Sequence, residues 1–215
     1  MRSVMVIAAL SILLAVSIAD RGMGADVKGA TLGTWTMDLG AAKKLAAQKK
    51  LPILLNFTGS DWCGWCKLME KNVFTKPEWK AYAKKNLLMV ALDFPKDKSI
   101  VPEKYVKRND ELKNMYGVEG FPTFIVLDDD GDTVLGRTGA GQEKTPESFE
   151  GEVAQFCRYR DAEVARYAKG LKPADRTAYR KIIDEIAVCR KAMEDQKQQV
   201  AAAQKKVEEL ENKAA

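Results

Sequence analysis

The stretch NFTGSDWCGWCK, residues 56–67, decides how the rest of this chain is interpreted. It follows an apolar run, Leu51 to Phe57, and leads into a segment of helical character, Lys67 to Phe74. In a strand-to-helix turn, the sulfur of Cys63 lies where unpaired backbone N–H groups and the positive end of the helix dipole favour a thiolate. Cys66, one turn further on, can then resolve a mixed disulfide. The stretch therefore predicts reversible dithiol–disulfide exchange.

Other uses of two neighbouring cysteines fit the sequence less well. A structural zinc site needs four ligands, whereas this chain has no His, and Cys157 and Cys189 each stand alone. A c-type haem site needs a His after the second cysteine, and that position is Lys67. A purely structural disulfide across so short a spacer would constrain the unfolded chain little. We therefore expect neither a metal nor an organic cofactor.

Length and charge restrict the remaining classes of function. The formal net charge is only +5, and no basic patch is interleaved with aromatic residues, so we expect no nucleic-acid partner. The many lysines are typical of solvated helix faces. After removal of a leader, the length suits one domain of ordinary size with an extension.

The N-terminus predicts export. Arg2 supplies a positive start, Val4 to Ile18 an apolar stretch, and Ser17-Ile18-Ala19 a cleavage site, so residues 1–19 form a signal peptide. A later cut near residue 25 is the alternative. The apolar run is short for a membrane span of about 20 residues, so a membrane is a partner only if the signal stays uncleaved. Export would place the cysteines in a secreted or periplasmic setting where disulfides persist.

The pattern of apolar residues predicts alternating strands and helices. Asp38 is a candidate N-cap for the first helix, and proline or glycine marks most later boundaries. The predicted strands are Pro52 to Phe57, Leu87 to Asp93, Phe124 to Leu127 and Thr133 to Arg137. The predicted helices are one that follows the cap Asp38 within residues 35–50, Lys67 to Phe74, Pro77 to Lys85, Pro102 to Tyr116 and a long helix from Pro146 to the interruption at 170–173.

The final helix, from Ala174 almost to the C-terminus, carries a heptad repeat. Apolar side chains recur every seven residues, with a second set three residues on, which is typical of a coiled coil. Near the start of this final helix, a hairpin in which it folds back on residues 146–169 is as well supported as a coiled coil. Beyond Gln196, self-association or a frayed tail is expected. The two sets are Tyr179, Ile186, Met193, Val200 and Val207, and Ile182, Cys189, Gln196, Ala203 and Leu210.

Cys157 and Cys189 would lie on facing helices of such a hairpin. In an oxidising compartment they could form a structural disulfide within the chain, which is the interpretation we favour. Pairing of Cys189 across a dimer and two buried free thiols are the alternatives.

The order of elements and two motifs resemble the thioredoxin family. The motifs are residues 62–67 and Phe121-Pro122-Thr123. The region around the dithiol is also similar to secreted bacterial thioredoxin-like proteins and to the C-terminal periplasmic domain of DsbD-type thiol reductases. The resemblance implies an α/β thioredoxin-like fold, with a central mixed β-sheet flanked by helices, over residues 31–158. Residues 159–215 would be a C-terminal helical extension, predicted to form a coiled coil.

The resemblance also implies roles for individual residues. Cys63 would be the exposed nucleophile and Cys66 the buried resolving thiol. Pro122 would be a cis-proline facing the dithiol, and the backbone of Phe121 would pair with a substrate strand. Trp62, Gly64 and Trp65 would complete the substrate-binding surface.

The chain departs from the family at two positions near the dithiol. Thioredoxins carry a buried Asp on the preceding strand, and the matching position here is Asn56, which cannot take a proton. Asp61, Lys67 or water would then have to handle the proton of Cys66, and the sequence leaves this open. Trp65 replaces the common Pro, and because spacer residues tune the potential, the direction of electron flow is not readable.

These observations predict an exported thiol–disulfide oxidoreductase that acts on protein substrates, exchanges electrons with a partner redox protein, and favours reduction. An oligomeric disulfide isomerase or oxidase, held together as a homo-oligomer by the C-terminal helix, is one alternative. A non-catalytic thioredoxin-fold binding module organised by the coiled coil is the other.

Overall fold

The computed structural model describes residues 25–214, except for the side chains of Glu194, Lys197, Gln198, Ala201, Lys205 and Glu208. The predicted signal peptide, residues 1–19, lies outside the described residues. Within residues 25–214, no helix combines the length and the apolar character needed to cross a membrane.

The central strand β2, Ile53–Thr58, is buried along its whole length. It pairs in parallel with β3, Leu88–Asp93, and antiparallel with β4, Thr123–Leu127. The sheet is completed by β1, Trp35–Thr36, and β5, Val134–Gly139, in the order β1-β3-β2-β4-β5. Strands covered on both faces are expected to be continuous apolar runs, as β2 and β3 are. The predicted mixed sheet is confirmed.

Successive residues of a strand point to opposite faces of the sheet, so both faces of this sheet carry apolar side chains that must be covered. Helices cover them on both faces. Leu54 and Phe124 belong to one apolar cluster, whereas Leu55 and Ile125 belong to the other. Asp38 caps the first helix as predicted, accepting the N–H of Ala41 at 2.9 Å. The helices are α1, Leu39–Lys49; α2, Gly64–Met69, continued by a π-helical turn over Glu70–Phe74; α3, Pro77–Asn86; α4, Glu103–Met115; and α5, Pro146–Cys157.

The helix predicted to run unbroken to residue 169 is divided, so that prediction was wrong. It ends as α5 and resumes as α6, Asp161–Lys169, with Arg160 in an extended conformation between them. The guanidinium of Arg160 is buried, and it donates to Asp128 at 2.6 Å and to the carbonyl of Lys50 at 3.1 Å. These partners lie more than thirty residues away, so the local pattern could not reveal the break.

The last helix, α7, Pro173–Ala214, folds back on α6. The rings of Tyr167 and Tyr179 lie 5.0 Å apart, and Arg176 donates to the carbonyl of Ala168 at 2.9 Å. Ile183, one turn after Tyr179, is also buried. Near its start, α7 therefore forms the predicted hairpin. Because α6 has nine residues and α7 has 42, the hairpin accompanies only the first part of α7.

Replacing Arg160 by Ala should destabilise the fold by about 3 kcal/mol, because it removes the buried guanidinium that pairs with the half-buried carboxylate of Asp128 and leaves Asp129 paired only with Lys50. Urea unfolding measures the loss. Arg158→Ala, an exposed arginine two residues earlier, is the control and should change stability little. Equal stability of the two variants would contradict this account of the helix break.

Candidate active site

Cys63 lies at the N-terminus of α2 and is joined to Cys66 by a disulfide. The Cα atoms of the two residues are 5.2 Å apart. The backbone N–H of Cys66 points at the sulfur of Cys63, 3.1 Å away. An N–H donated to sulfur, together with the helix N-terminus, favours the thiolate of Cys63 in the reduced protein. The local geometry thus provides an activated thiol with a resolving thiol in bonding reach.

The exposure of the two cysteines differs from what the resemblance implied. Cys63 is 5% exposed and Cys66 is 6% exposed, so neither is the open one in this oxidised form. Each sulfur is bonded to the other, and each therefore covers part of the other's surface. The exposed groups beside them are the indoles of Trp62 and Trp65 and the backbone of Gly64.

The second motif is joined to the dithiol turn through an aromatic contact. The Phe121–Pro122 bond is cis, as predicted. The rings of Trp62 and Phe121 meet edge to face, with centroids 5.8 Å apart. Phe121 is half-buried and Pro122 is buried immediately before β4, whose first residue, Thr123, pairs with Phe57 of β2. The predicted docking residues Trp62 and Phe121 therefore form one continuous surface.

The three residues before Cys63 fix the turn through hydrogen bonds to the last residue of β3 and to the loop that follows it. Ser60 uses both its backbone N–H and its hydroxyl to donate to the carboxylate of Asp93, at 2.9 and 2.6 Å. The indole N–H of Trp62 donates to the carbonyl of Phe94 at 2.8 Å. Between them, Asp61 accepts the backbone N–H groups of Lys96 and Asp97 at 3.0 and 2.9 Å.

Of the three residues predicted to modulate the dithiol, Asp61 lies in the turn before α2 and Lys67 lies in α2 itself, whereas Asn56 lies inside the sheet. The backbone N–H of Asp97, followed by that of Lys96, lowers the pKa of the Asp61 carboxyl, which keeps it ionised and bound to its loop. Lys67 donates to the backbone carbonyl of Asp61 at 2.6 Å, so both residues hold the shape of the turn. Asn56 is buried within β2, opposite Ala91 on one side and Phe124 on the other.

Sequence reasoning missed Gly59, the residue that starts the turn. Its carbonyl accepts the N–H of Cys63 at 2.8 Å. A Cβ atom at this position would lie 2.4 Å from the ring of Trp62, which packs directly across it. Only glycine allows Trp62 to lie against the turn in this way. The sequence signal for this role was the position of Gly59 directly after a buried strand, where a glycine often marks a close approach of another group.

Asp93 was also missed, although it is the buried carboxyl of the site. It ends β3 opposite Thr58, the last residue of β2. Burial raises the pKa of the Asp93 carboxyl, and the two hydrogen bonds from Ser60 oppose that rise. Asn109 donates to the backbone carbonyl of Asp93 at 3.0 Å and holds it from the side of α4. The sequence did contain a signal for Asp93, because it is a charged residue at the end of an apolar strand. Parallel neighbouring strands end at the same edge of a sheet, so such a residue is expected near the turn that follows β2.

The disulfide favoured between Cys157 and Cys189 is not formed, and both thiols are free. Cys157 packs against the aromatic cluster beneath α5, and burial raises the pKa of its thiol to about 11. Cys189 is exposed on α7.

The sheet order, the dithiol at the N-terminus of α2 and the cis-proline before β4 together define a thioredoxin fold with a thiol–disulfide site. A family model described as a thioredoxin-like domain matches residues 39–156. The chain therefore belongs to the thioredoxin-like domain family.

Individual relatives carry related descriptions. The chain is 44% identical over 84 residues to the disulfide bond reductase DsbH of Chlamydia pneumoniae, a match covering 39% of this chain and 50% of that protein. It is 29% identical over 93 residues to the thioredoxin-related protein DsbJ of the same organism, covering 43% of this chain and 26% of that protein. The chain thus spans half or less of these curated relatives.

A solved structure of a DsbH oxidoreductase superposes with a TM-score of 0.54 at 33% identity. The superposition covers 63% of this chain and 92% of that one.

Replacing Gly59 by Ala should lower the free energy of unfolding by about 1–3 kcal/mol, because the new methyl group overlaps the Trp62 ring and one of them must move. Chemical denaturation followed by tryptophan fluorescence measures the loss. Gly151→Ala, whose added Cβ meets nothing within 4 Å, is the control. If Gly59→Ala is as stable as the control, the packing of Trp62 across the turn does not constrain it.

Replacing Asp93 by Asn should change how stability depends on pH. Because the pKa of Asp93 is raised in the folded protein, the native state holds the proton more tightly than the unfolded chain does. The contribution of the Asp93 carboxyl to stability is therefore fully present below its pKa in the unfolded chain. It is lost as the pH rises through its pKa in the folded protein. Relative to Asp93→Asn, the wild type should lose up to about 1.4 kcal/mol per pH unit in that window.

Urea titrations of both proteins from about pH 4 towards neutrality measure this difference. Asp110→Asn, at an exposed position of α4, controls for the loss of one negative charge. If the difference in free energy of unfolding between the wild type and Asp93→Asn stays constant with pH, burial does not raise the pKa of the Asp93 carboxyl.

Proposed function

We propose that this chain is an exported protein-disulfide reductase. The observation that carries the proposal is the placement of Cys63 at the start of α2, with the N–H of Cys66 directed at its sulfur. The description of the DsbH relative as a disulfide bond reductase supports the direction of the reaction. The predicted signal peptide supports export.

In the reduced protein, the thiolate of Cys63 attacks one sulfur of a substrate disulfide. This forms a mixed disulfide and releases the other substrate sulfur as a thiolate. The thiolate of Cys66 then attacks the sulfur of Cys63, closes the Cys63–Cys66 disulfide and releases the second substrate thiolate. The protein gives up two electrons and two protons, and a partner dithiol protein restores them.

The residues around the sulfurs would position the substrate. Trp62 and Phe121 offer an aromatic surface to the residues beside the substrate disulfide, and the exposed indole of Trp65 lies next to Cys66 in the sequence. The hydrogen bonds that fix the turn through Ser60 would keep Cys63 in place during the attack.

The pre-reduced mature protein should reduce insulin, as measured by precipitation of the released B chain. Cys63→Ser should abolish turnover, and Cys66→Ser should accumulate the mixed disulfide, visible on a non-reducing gel. Cys157→Ser, which removes a thiol outside the dithiol turn, should retain wild-type activity. An inactive wild type with a suitable electron donor would favour the non-catalytic binding module instead.

The reduction potential of the Cys63–Cys66 couple separates a reductase from an oxidase. We expect a value near that of thioredoxin, about −270 mV, when the couple is equilibrated with a glutathione buffer. A value near about −120 mV, typical of a strong periplasmic oxidant, would overturn the reductase direction.

A further inference from the structure

Helix α7 carries an apolar stripe that the hairpin with α6 leaves uncovered. Tyr179 contacts Tyr167 of α6, and Arg190 is stacked 4.7 Å from the ring of Tyr159, which lies just before α6. A different set of apolar side chains faces solvent, and their exposed fractions lie between 53 and 69% where given. This set, called here the α7 stripe, consists of Ile182, Cys189, Met193, Val200, Val207 and Leu210.

The α7 stripe follows the spacing of a two-stranded coiled coil rather than that of a helix packed on a globular core. Met193, Val200 and Val207 are seven residues apart, and Cys189 and Leu210 occupy the companion position of the heptad. From Ile182 to Leu210 the stripe is about 42 Å long at 1.5 Å per residue. Helix α6, with nine residues, covers only about 14 Å. The hairpin contacts at Tyr179 and Arg190 lie on the first part of α7. Met193, Val200, Val207 and Leu210 lie further along the helix and are exposed, so the hairpin and a coiled coil can form together.

The charges beside the stripe fit a second copy of the same helix. In a parallel coiled coil, the residues at positions g and e face each other across the seam. Lys206 and Glu211 occupy one such pair of positions, beyond the hairpin contacts at Tyr179 and Arg190. Their charges are opposite, so a parallel alignment in register brings together attractive partners.

We propose that the α7 stripe binds the same stripe of a second copy of this chain, in parallel and in register. Two α7 helices joined in this way start at the same end, so both dithiol domains lie at that end of the dimer. Cys189 of one copy then faces Cys189 of the other across the seam. The proposal does not depend on the proposed reductase activity.

The orientation is tested by cross-linking through Cys189. In the Cys63→Ser/Cys66→Ser/Cys157→Ser variant, Cys189 is the only thiol, and diamide takes up the two electrons and two protons as two thiols become a disulfide. We expect a covalent dimer on a non-reducing gel. The matched Cys63→Ser/Cys66→Ser/Cys189→Ser variant, which keeps only Cys157, should stay monomeric on the gel. Absence of the Cys189 dimer would overturn the parallel register.

The stripe itself is tested by sedimentation of the full chain. The wild type should sediment as a dimer, and Val200→Asp should dissociate it and lower the cross-linked fraction at least about tenfold, because each dimer would bury two charges. Val188→Asp places the same change on the same helix at a more exposed valine outside the stripe, and should stay dimeric. A monomeric wild type, or equal dissociation of the two valine variants, would overturn the proposal.

Discussion

The site depends on a set of hydrogen bonds that holds the turn before Cys63 against the end of β3. Thr58 and Asp93 are opposite each other in parallel strands, so the turn after β2 and the loop after β3 leave the sheet at the same edge. Ser60, Asp61 and Trp62 then each bond across this edge. With the turn held in this way, Cys63 lies at the N-cap of α2.

The carboxyl groups near the site have different environments and different effects. Thioredoxins place a buried acid on the strand before the dithiol, and in this chain that position is Asn56. The buried acid here comes from β3 instead and is Asp93, which reaches the turn through Ser60. Asp61 remains exposed enough for backbone donors to lower its pKa, so it acts as an ionised anchor for the loop.

The C-terminal extension is attached to the domain by a specific ionic contact. Arg160 interrupts the helix and binds Asp128 and the carbonyl of Lys50. The hairpin contacts of α7, at Tyr179 and Arg190, lie on its first part, and the exposed apolar side chains continue beyond them. Hairpin and coiled coil were treated as alternatives near the start of this helix because a sequence repeat does not show where along the helix each neighbour packs.

Local spacing and residue types in the sequence predicted the succession of strands and helices and the dithiol at a helix start. Cap residues such as Asp38 were readable for the same reason. The mixed sheet and the cis-proline were implied by the resemblance of these motifs to the thioredoxin family. Tertiary structure alone decided the break at Arg160, the bonding of Ser60 to Asp93 and the free state of the Cys157 and Cys189 thiols. Each of these depends on which residues more than thirty positions apart come into contact, and a linear pattern does not contain that information.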